Sequence, residues 1–197
     1  MTLHRFILLC IAAALAATPE ASAGAHPLEA DAVLFLVTEH APAGTIWGLV
    51  KKYGIVVKPE KVYLDTLRAA GAQEVLLRAL QGIAEANELR SLEASASKLC
   101  WVDAGDGAFV APKPVHFPYP RYTHEAGASK VTGTVVLCLD LDVQGRVTGV
   151  KRLQQPLGGG LDEQSVKRVQ DWKFEPAIRD GGPMSCHVIV EIDFYRH

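Results

Sequence analysis

The chain has 197 residues, of which 49% are hydrophobic and 21% charged, and its formal net charge at pH 7 is -2. This composition is typical of a globular protein rather than a disordered one. The near-neutral charge excludes the basic field that nucleic-acid binding requires, and it leaves no polybasic patch for a membrane surface.

Residues 1–23 have the layout of a secretory signal peptide. The short basic start MTLHRF precedes the apolar stretch FILLCIAAALAA, and the small residues ASA follow at 21–23. Cleavage is therefore expected after Ala23, which would release the mature chain outside the cytoplasm. The apolar stretch is shorter than the roughly 20 residues of a spanning helix. A retained inner-membrane anchor is the alternative.

Residues 28–99 show the periodicity of a small all-α module. The apolar stripes follow 3.6-residue spacing, and Pro42 and Gly44 separate the first two. Gly54 is expected as a C-cap and Pro59 as the first residue of the next helix. Two further helices are expected on either side of Gly71. The residues expected to face inward are Leu28, Val33, Leu36, Val37, Ile46, Leu49, Val50, Val62, Leu64, Leu67, Leu76, Leu77 and Leu80.

This module resembles a helical accessory piece of bacterial proteins, with a YG-V turn, a P-E helix start and an AAGA break. The resemblance implies packing or protein contact and no chemistry. Its nearly balanced acidic and basic side chains argue against a DNA-binding helix-turn-helix.

Residues 100–111 are predicted to be a linker, and strands dominate after it. TGTVVLCLDLDV alternates, with Val135, Leu137, Leu139, Leu141 and Val143 expected on the core face. Thr134, Val136, Cys138, Asp140 and Asp142 are then expected on the outer face. A hairpin turn is predicted at Gln144–Gly145 and a bulge near Gly149.

The stretch GGGLDEQSVKRVQDWKFEPAIRDGGP predicts a helix that packs on the sheet. Asp162 is expected to cap the helix, and Val166, Val169 and Trp172 fall on one face. Pro176 cannot continue the helix. Trp172 and Phe174 are expected to be buried as packing residues rather than as part of a ligand site.

Residues 112–197 resemble the TonB C-terminal domain family. The matching pieces, in order, are FPYP, GTVVLCLDLDVQGRV, GGGLD, WKFEPA, DGGP and VIVEIDF. The resemblance implies an α+β fold, in which a β-β-α-β domain has a small antiparallel sheet with helices packed on one face. The residues that carry the family pattern are Gly133, Gly145, Leu161, Asp162, Trp172, Phe174 and Pro176.

The resemblance also implies a periplasmic protein that binds the TonB box of outer-membrane transporters. Members of the family pair the peptide with the exposed edge of their last strand, using backbone groups. The corresponding strand here contributes Cys186, His187, Val188, Ile189, Val190, Glu191, Ile192 and Asp193. Its outward side chains are expected to be His187, Ile189, Glu191 and Asp193. Tyr119 and Pro120 match a YP motif that opens a helix, with partner contact as the alternative.

The chain departs from force-transducing members of this family in its N-terminal half. Those members carry an uncleaved anchor and a long proline-rich spacer, whereas here the only proline cluster is PKPVHFPYP. A periplasmic scaffold that binds envelope proteins without serving transport is therefore kept as an alternative function. A homodimer through edge strands is also considered.

No cofactor, metal site or catalytic motif is expected from the sequence. His116 and His124 lack further ligands at zinc spacing, and Asp140 and Asp142 are expected to be solvated. An unrecognised envelope enzyme is the third alternative. Cys138 and Cys186 are expected on opposite sheet faces, so no structural disulfide is predicted unless a bulge or Cys100 permits one.

Overall fold

A computed structural model describes residues 26–95, 100–101 and 109–195. The expected signal peptide and most of the expected linker lie outside these residues. The helices are α1 Ala30–Thr38, α2 Ala43–Tyr53, α3 Lys61–Ala69, α4 Glu74–Gln81, α5 Ala86–Ser95, α6 His124–Ser129 and α7 Leu161–Val169. The strands are β1 Cys100–Trp101, β2 Lys113–His116, β3 Gly133–Leu141, β4 Val147–Arg152, β5 Lys173–Glu175, β6 Ala177–Arg179, β7 Gly182–Met184 and β8 Cys186–Phe194. The predicted α+β class is confirmed. No helix within the described ranges has the length and apolar character needed to cross a membrane.

The main sheet is antiparallel and has the strand order β1-β8-β3-β4. The long strands β3 and β8 pair over their full length, from Gly133 opposite Phe194 to Leu141 opposite Cys186. Two small sheets, β2 with β5 and β6 with β7, lie outside it.

The β3–β4 hairpin contains both of the predicted irregularities. Gly145 has a φ of 73°, and its N–H donates to the carbonyl of Asp142. The register shifts where Asp140 opposes Gly149 but Leu141 opposes Val147. This shift confirms the bulge that the broken alternation after the turn predicted.

A hydrophobic core lies on each side of the main sheet. One side, which we call the α7 face, carries Val135, Leu137 and Val188 and packs with Leu161 and Trp172. The opposite side, which we call the module face, shares a core with helices α1 to α5. Its residues from the sheet are Trp101, Val136, Cys138 and Ile189, together with Leu153 just after β4.

The prediction of a solvated outer face is therefore wrong for most of β3. Val136 is 0% exposed and Cys138 is 1% exposed, because the helical module covers them. Apolar residues at alternate positions on both faces are typical of a strand that is buried on both sides. Val143, expected on the core face, lies beyond the end of β3 and is 42% exposed.

Local expectations at several helix ends also differ from the structure. Val62, expected to face inward, is 80% exposed on α3. Pro59 is not the first residue of that helix, since the helix begins at Lys61 with Glu60 as its N-cap. Asp162 does not cap α7. Its carboxylate instead accepts the N–H of Gly158 at 2.9 Å, and the N-cap residue is Gly160.

Candidate functional site at the edge of the last strand

The last strand, β8, lies one place in from the end of the main sheet. One of its sides pairs with β3 throughout, and the other side pairs with β1. This second pairing is short, because Cys100 opposes Val188 and Trp101 opposes His187. Among the described strands, none pairs with the second side of β8 from Ile189 onward. In an antiparallel strand, alternate residues direct their N–H and C=O groups away from the neighbouring strand.

Strand β1 lies in the stretch that the sequence predicts to be a linker. Its tryptophan is nevertheless held by specific contacts. The Trp101 ring stacks on the His187 ring, with centroids 5.1 Å apart and an interplanar angle of 22°. Its indole N–H donates to the carbonyl of Glu39 at 2.7 Å. Trp101 is 3% exposed. A tryptophan next to a Gly-rich segment was the only sequence signal for this anchor.

Tyr119 meets the other end of β8. Its hydroxyl donates to the carbonyl of Asp193, and its ring packs edge-on against Phe194 with centroids 6.2 Å apart. Burial raises the pKa of Tyr119 to about 12. The stretch Ile189–Ile192, which we call the edge window, therefore lies between β1 and the contact of Tyr119 with Asp193.

Tyr119 and Pro120 do not open a helix. Helix α6 begins at His124, and Thr123 caps it by accepting the N–H of Ala126 at 3.0 Å. Pro120 is buried before this helix begins. The structural role of the motif is thus the packing of the Tyr119 ring and the hydrogen bond to β8.

The side chains predicted to tune specificity are not free on an outward face. His187 is 7% exposed and Ile189 is 3% exposed beneath the helical module. Glu191 pairs with Lys52 of α2 at 2.6 Å, and Asp193 accepts the Thr134 hydroxyl at 2.6 Å. The expectation that these four residues face outward is wrong for His187 and Ile189. It failed because the module packs on that side of the sheet.

The remaining residues of β8 that were predicted to contact a partner face the other core. Cys186, Val188, Val190 and Ile192 are all at most 7% exposed on the α7 face. None of the three described cysteines, Cys100, Cys138 and Cys186, is in a disulfide. What the edge window can offer to a partner is its backbone.

The family-pattern residues hold this strand in place from the α7 face. Trp172 and Phe174 are buried there, and the Trp172 indole donates to the carbonyl of Pro118 at 3.0 Å. Leu161 is fully buried at the start of α7. Pro176 separates β5 from β6.

The geometry defines a class: a small α+β domain whose last strand has a partly open edge. Residues 118–195 match the family model described as the Gram-negative bacterial TonB protein C-terminal. This part of the chain is therefore similar to the TonB C-terminal family.

Two curated proteins are similar to part of the chain. Protein TonB of Vibrio cholerae serotype O1 is 32% identical over 75 residues, which cover 38% of this chain and 31% of that protein. Protein TonB of Xanthomonas campestris pv. campestris is 29% identical over 75 residues, which cover 38% of this chain and 34% of that protein. The chain therefore spans about a third of the length of these curated relatives.

A solved structure is also similar, the solution NMR structure of the Pseudomonas aeruginosa TonB CTD. It covers 44% of this chain and 87% of that one, with 21% identity and a TM-score of 0.38.

Proposed function

We propose that this protein works in the periplasm and binds extended segments of envelope proteins by strand addition to the edge window Ile189–Ile192. The partners we infer are TonB-dependent transporters of the outer membrane, which would make the protein part of energy-coupled transport. The observation that carries this proposal is the position of β8, which has β3 on one side and only the short β1 on the other.

Strand addition suits this edge for a physical reason. The side chains of Ile189 and Ile192 are buried, so a partner would contact backbone groups rather than a side-chain pocket. Main-chain hydrogen bonds supply affinity in this binding mode, and the partner's alternate side chains supply specificity. A short window predicts a short footprint and modest affinity.

The test is a peptide titration of isotope-labelled full-length chain, followed by NMR. The peptides are synthetic TonB-box segments from transporters of the same cell. Chemical-shift changes centred on the amides of the edge window support the proposal. Changes confined to other surfaces, or none at saturating peptide, would overturn it.

The matched control is the same peptide with N-methyl groups on alternate backbone nitrogens. This peptide keeps every side chain but cannot complete a strand ladder, so its binding should be lost if backbone pairing carries the affinity. Equal binding of the two peptides would point to side-chain recognition instead.

The alternative of a scaffold without a transport role has one specific observation in its favour. The helical module shares a buried core with the sheet, and the ion pairs Lys52–Glu191 and Lys151–Asp31, at 2.6 and 2.7 Å, bridge the two parts. The two parts would then present one continuous surface to envelope proteins. A silent peptide titration, together with capture of envelope proteins that are not transporters, would favour this function.

A further inference from the structure

Asp140 and His187 lie in a row of opposed residues that crosses the module face of the main sheet and ends at β1. Gly149 of β4 opposes Asp140 of β3, Asp140 opposes His187 of β8, and His187 opposes Trp101 of β1. Cys138 precedes Asp140 by two residues, so it lies on the same face. Neither the strand addition proposed above nor the family match makes use of this row.

Three ligand types meet in this row. One atom each from the Cys138 thiol, the Asp140 carboxylate and the His187 ring lies within 4.8 Å of the others. Asp140 Oδ1 is 2.9 Å from His187 Nδ1. The other ring nitrogen, Nε2, is 3.7 Å from Glu39 Oε2, so a second carboxylate is close by.

The groups are partly enclosed and remain open on one side. Cys138 is 1% exposed and the His187 side chain 9%, whereas the side chains of Asp140 and Glu39 are 43% and 37% exposed. An ion could therefore enter from the carboxylate side and reach a thiol and an imidazole that are shielded from bulk water.

Two features keep these groups in position. An ideal Cβ on Gly149 would lie 1.9 Å from Asp140 Oδ2, so a larger residue there would displace the carboxylate from its present position. The stacked Trp101 ring fixes the plane of the His187 imidazole from the β1 side. The backbone register of three strands thus places the ligands, which the sequence separates widely.

The geometry points to a zinc site: we propose that Cys138, Asp140 and His187 bind Zn²⁺, with Glu39 beside the opposite ring nitrogen of His187. Thiolate, imidazole and carboxylate are the ligands that zinc takes in proteins. Zinc-ligand bonds of about 2.0–2.3 Å hold ligand atoms within roughly 4 Å of each other, so small side-chain movements suffice.

Binding at this site would connect the module to the sheet. Glu39 follows α1, whereas the other three groups belong to β3 and β8. An ion on the Nδ1 side of His187 would leave Nε2 protonated and facing the Glu39 carboxylate at the end of α1, which links the site to the module. The bound ion would also deprotonate the Cys138 thiol, whose pKa burial raises above its usual value.

The experiment is a titration of the metal-free full-length chain with Co²⁺, a spectroscopic substitute for Zn²⁺, followed by displacement with Zn²⁺. We expect one equivalent to bind, with a thiolate-to-cobalt charge-transfer band and the visible bands of a four-coordinate ion. Absence of the charge-transfer band, or binding without saturation at one equivalent, would overturn the proposal.

Two pairs of variants assign the ligands. Cys138→Ser should abolish the charge-transfer band, whereas Cys186→Ser, a buried thiol on the opposite face, should keep it. The opposite result would overturn the assignment. Because Cys138→Ser alters a buried position and could fail to fold, the half-exposed Asp140→Asn is the second test.

Asp140→Asn should weaken Zn²⁺ binding by about tenfold or more. Its control is Asp180→Asn, on the exposed turn between β6 and β7, which should leave affinity unchanged. Unchanged affinity in Asp140→Asn would overturn the site. These outcomes do not depend on the peptide titration, so this inference and the proposed function can fail separately.

Discussion

Gly145 illustrates how a single residue determines the contact between two elements. Its carbonyl accepts the N–H of Phe174 at 2.9 Å, which ties the β3–β4 turn to β5. An ideal Cβ at Gly145 would lie 1.9 Å from the Phe174 carbonyl oxygen, which is a backbone atom that cannot move aside easily. Its φ of 73° is also in the left-handed region that favours glycine.

Gly82 provides a matched control for a substitution at Gly145. It has the same φ of 73°, but nothing lies within 4 Å of its ideal Cβ. Gly82→Ala should cost about 1 kcal/mol from backbone strain alone, and Gly145→Ala about 2–4 kcal/mol because overlap with β5 adds to it. Urea denaturation of both variants measures the difference. Equal losses would mean that the turn does not depend on its close approach to Phe174.

The ion pair between Asp31 and Lys151 should make the free energy of unfolding depend on pH. The Lys151 ammonium, 2.7 Å from the Asp31 carboxylate, holds the pKa of Asp31 below its ordinary value of 3.8. A depressed folded-state pKa contributes stability above the ordinary pKa, and this contribution is lost as the pH falls through the folded-state value. The pair is exposed, so its contribution should be below about 1 kcal/mol.

The measurement is the free energy of unfolding of Asp31→Asn at pH 7 and at pH 2. We expect a small loss relative to the unsubstituted chain at pH 7 and a smaller one at pH 2, because the loss should shrink as the pH falls through the lowered folded-state pKa of Asp31. Lys151→Met should reproduce the loss at pH 7. A loss of the same size at both pH values would exclude an electrostatic origin.

At the scale of elements, the pairing of β1 with β8 controls how much of the edge a partner can reach. Strand β1 consists of Cys100–Trp101 and has few backbone bonds of its own. Its position therefore depends on the Trp101 ring, which is buried, stacked on His187 and bonded to Glu39. A side chain, rather than the backbone ladder, holds the strand in place.

Trp101→Ala should release β1 and accelerate hydrogen exchange at the backbone amides of β8 near His187 and Val188. It should also cost about 3–5 kcal/mol of stability, the usual range for truncating a buried aromatic ring. Trp101→Phe is the control, because it keeps a ring on His187 while removing the indole hydrogen bond and part of the ring volume, at about 1–3 kcal/mol.

Hydrogen-exchange mass spectrometry of both variants measures the exchange rates of these amides, and peptide titration is a second measurement. The peptide footprint should extend from the edge window to Val188 in Trp101→Ala but not in Trp101→Phe. Unchanged exchange near Val188 in Trp101→Ala would show that the anchor is not the tryptophan.

At the scale of the whole molecule, the helical module and the sheet share one core. Val136, Cys138 and Ile189 of the sheet, with Leu153 just after β4, belong to the same buried cluster as the helices. The backbone also joins the two parts, since the N–H of Glu29 donates to the carbonyl of Leu153 at 3.1 Å. A shared apolar core of this kind couples the unfolding of the two parts.

Ile189→Ala tests this coupling, because Ile189 is 3% exposed within the shared core. It should cost about 2–4 kcal/mol and lower the stability of helices and sheet together. Val62→Ala, at an 80% exposed helix position, should change stability by less than about 0.5 kcal/mol. Circular dichroism for the helices and tryptophan fluorescence should then give coincident transitions in urea. Separate transitions would mean that the module folds independently of the sheet.

The sequence by itself determined the features that depend on neighbouring residues. The alternation of β3, the positive-φ glycine at 145 and the bulge opposite Asp140 follow from local sterics and periodicity. The helices of the module and the burial of Trp172 and Phe174 follow from the spacing of apolar side chains. The ordered motifs of the C-terminal part predicted its resemblance to the family whose model matches residues 118–195.

Only the tertiary structure decided what covers each face and edge of the sheet. The periodicity of β3 indicates two faces but does not say which element packs on the second, so His187 and Ile189 were expected in solvent. The same is true of β1, because its pairing with β8 depends on a tryptophan reaching His187 and Glu39, which are distant in the chain. Cys138, Asp140 and His187 meet only through strand register, a long-range property that local sequence patterns do not encode.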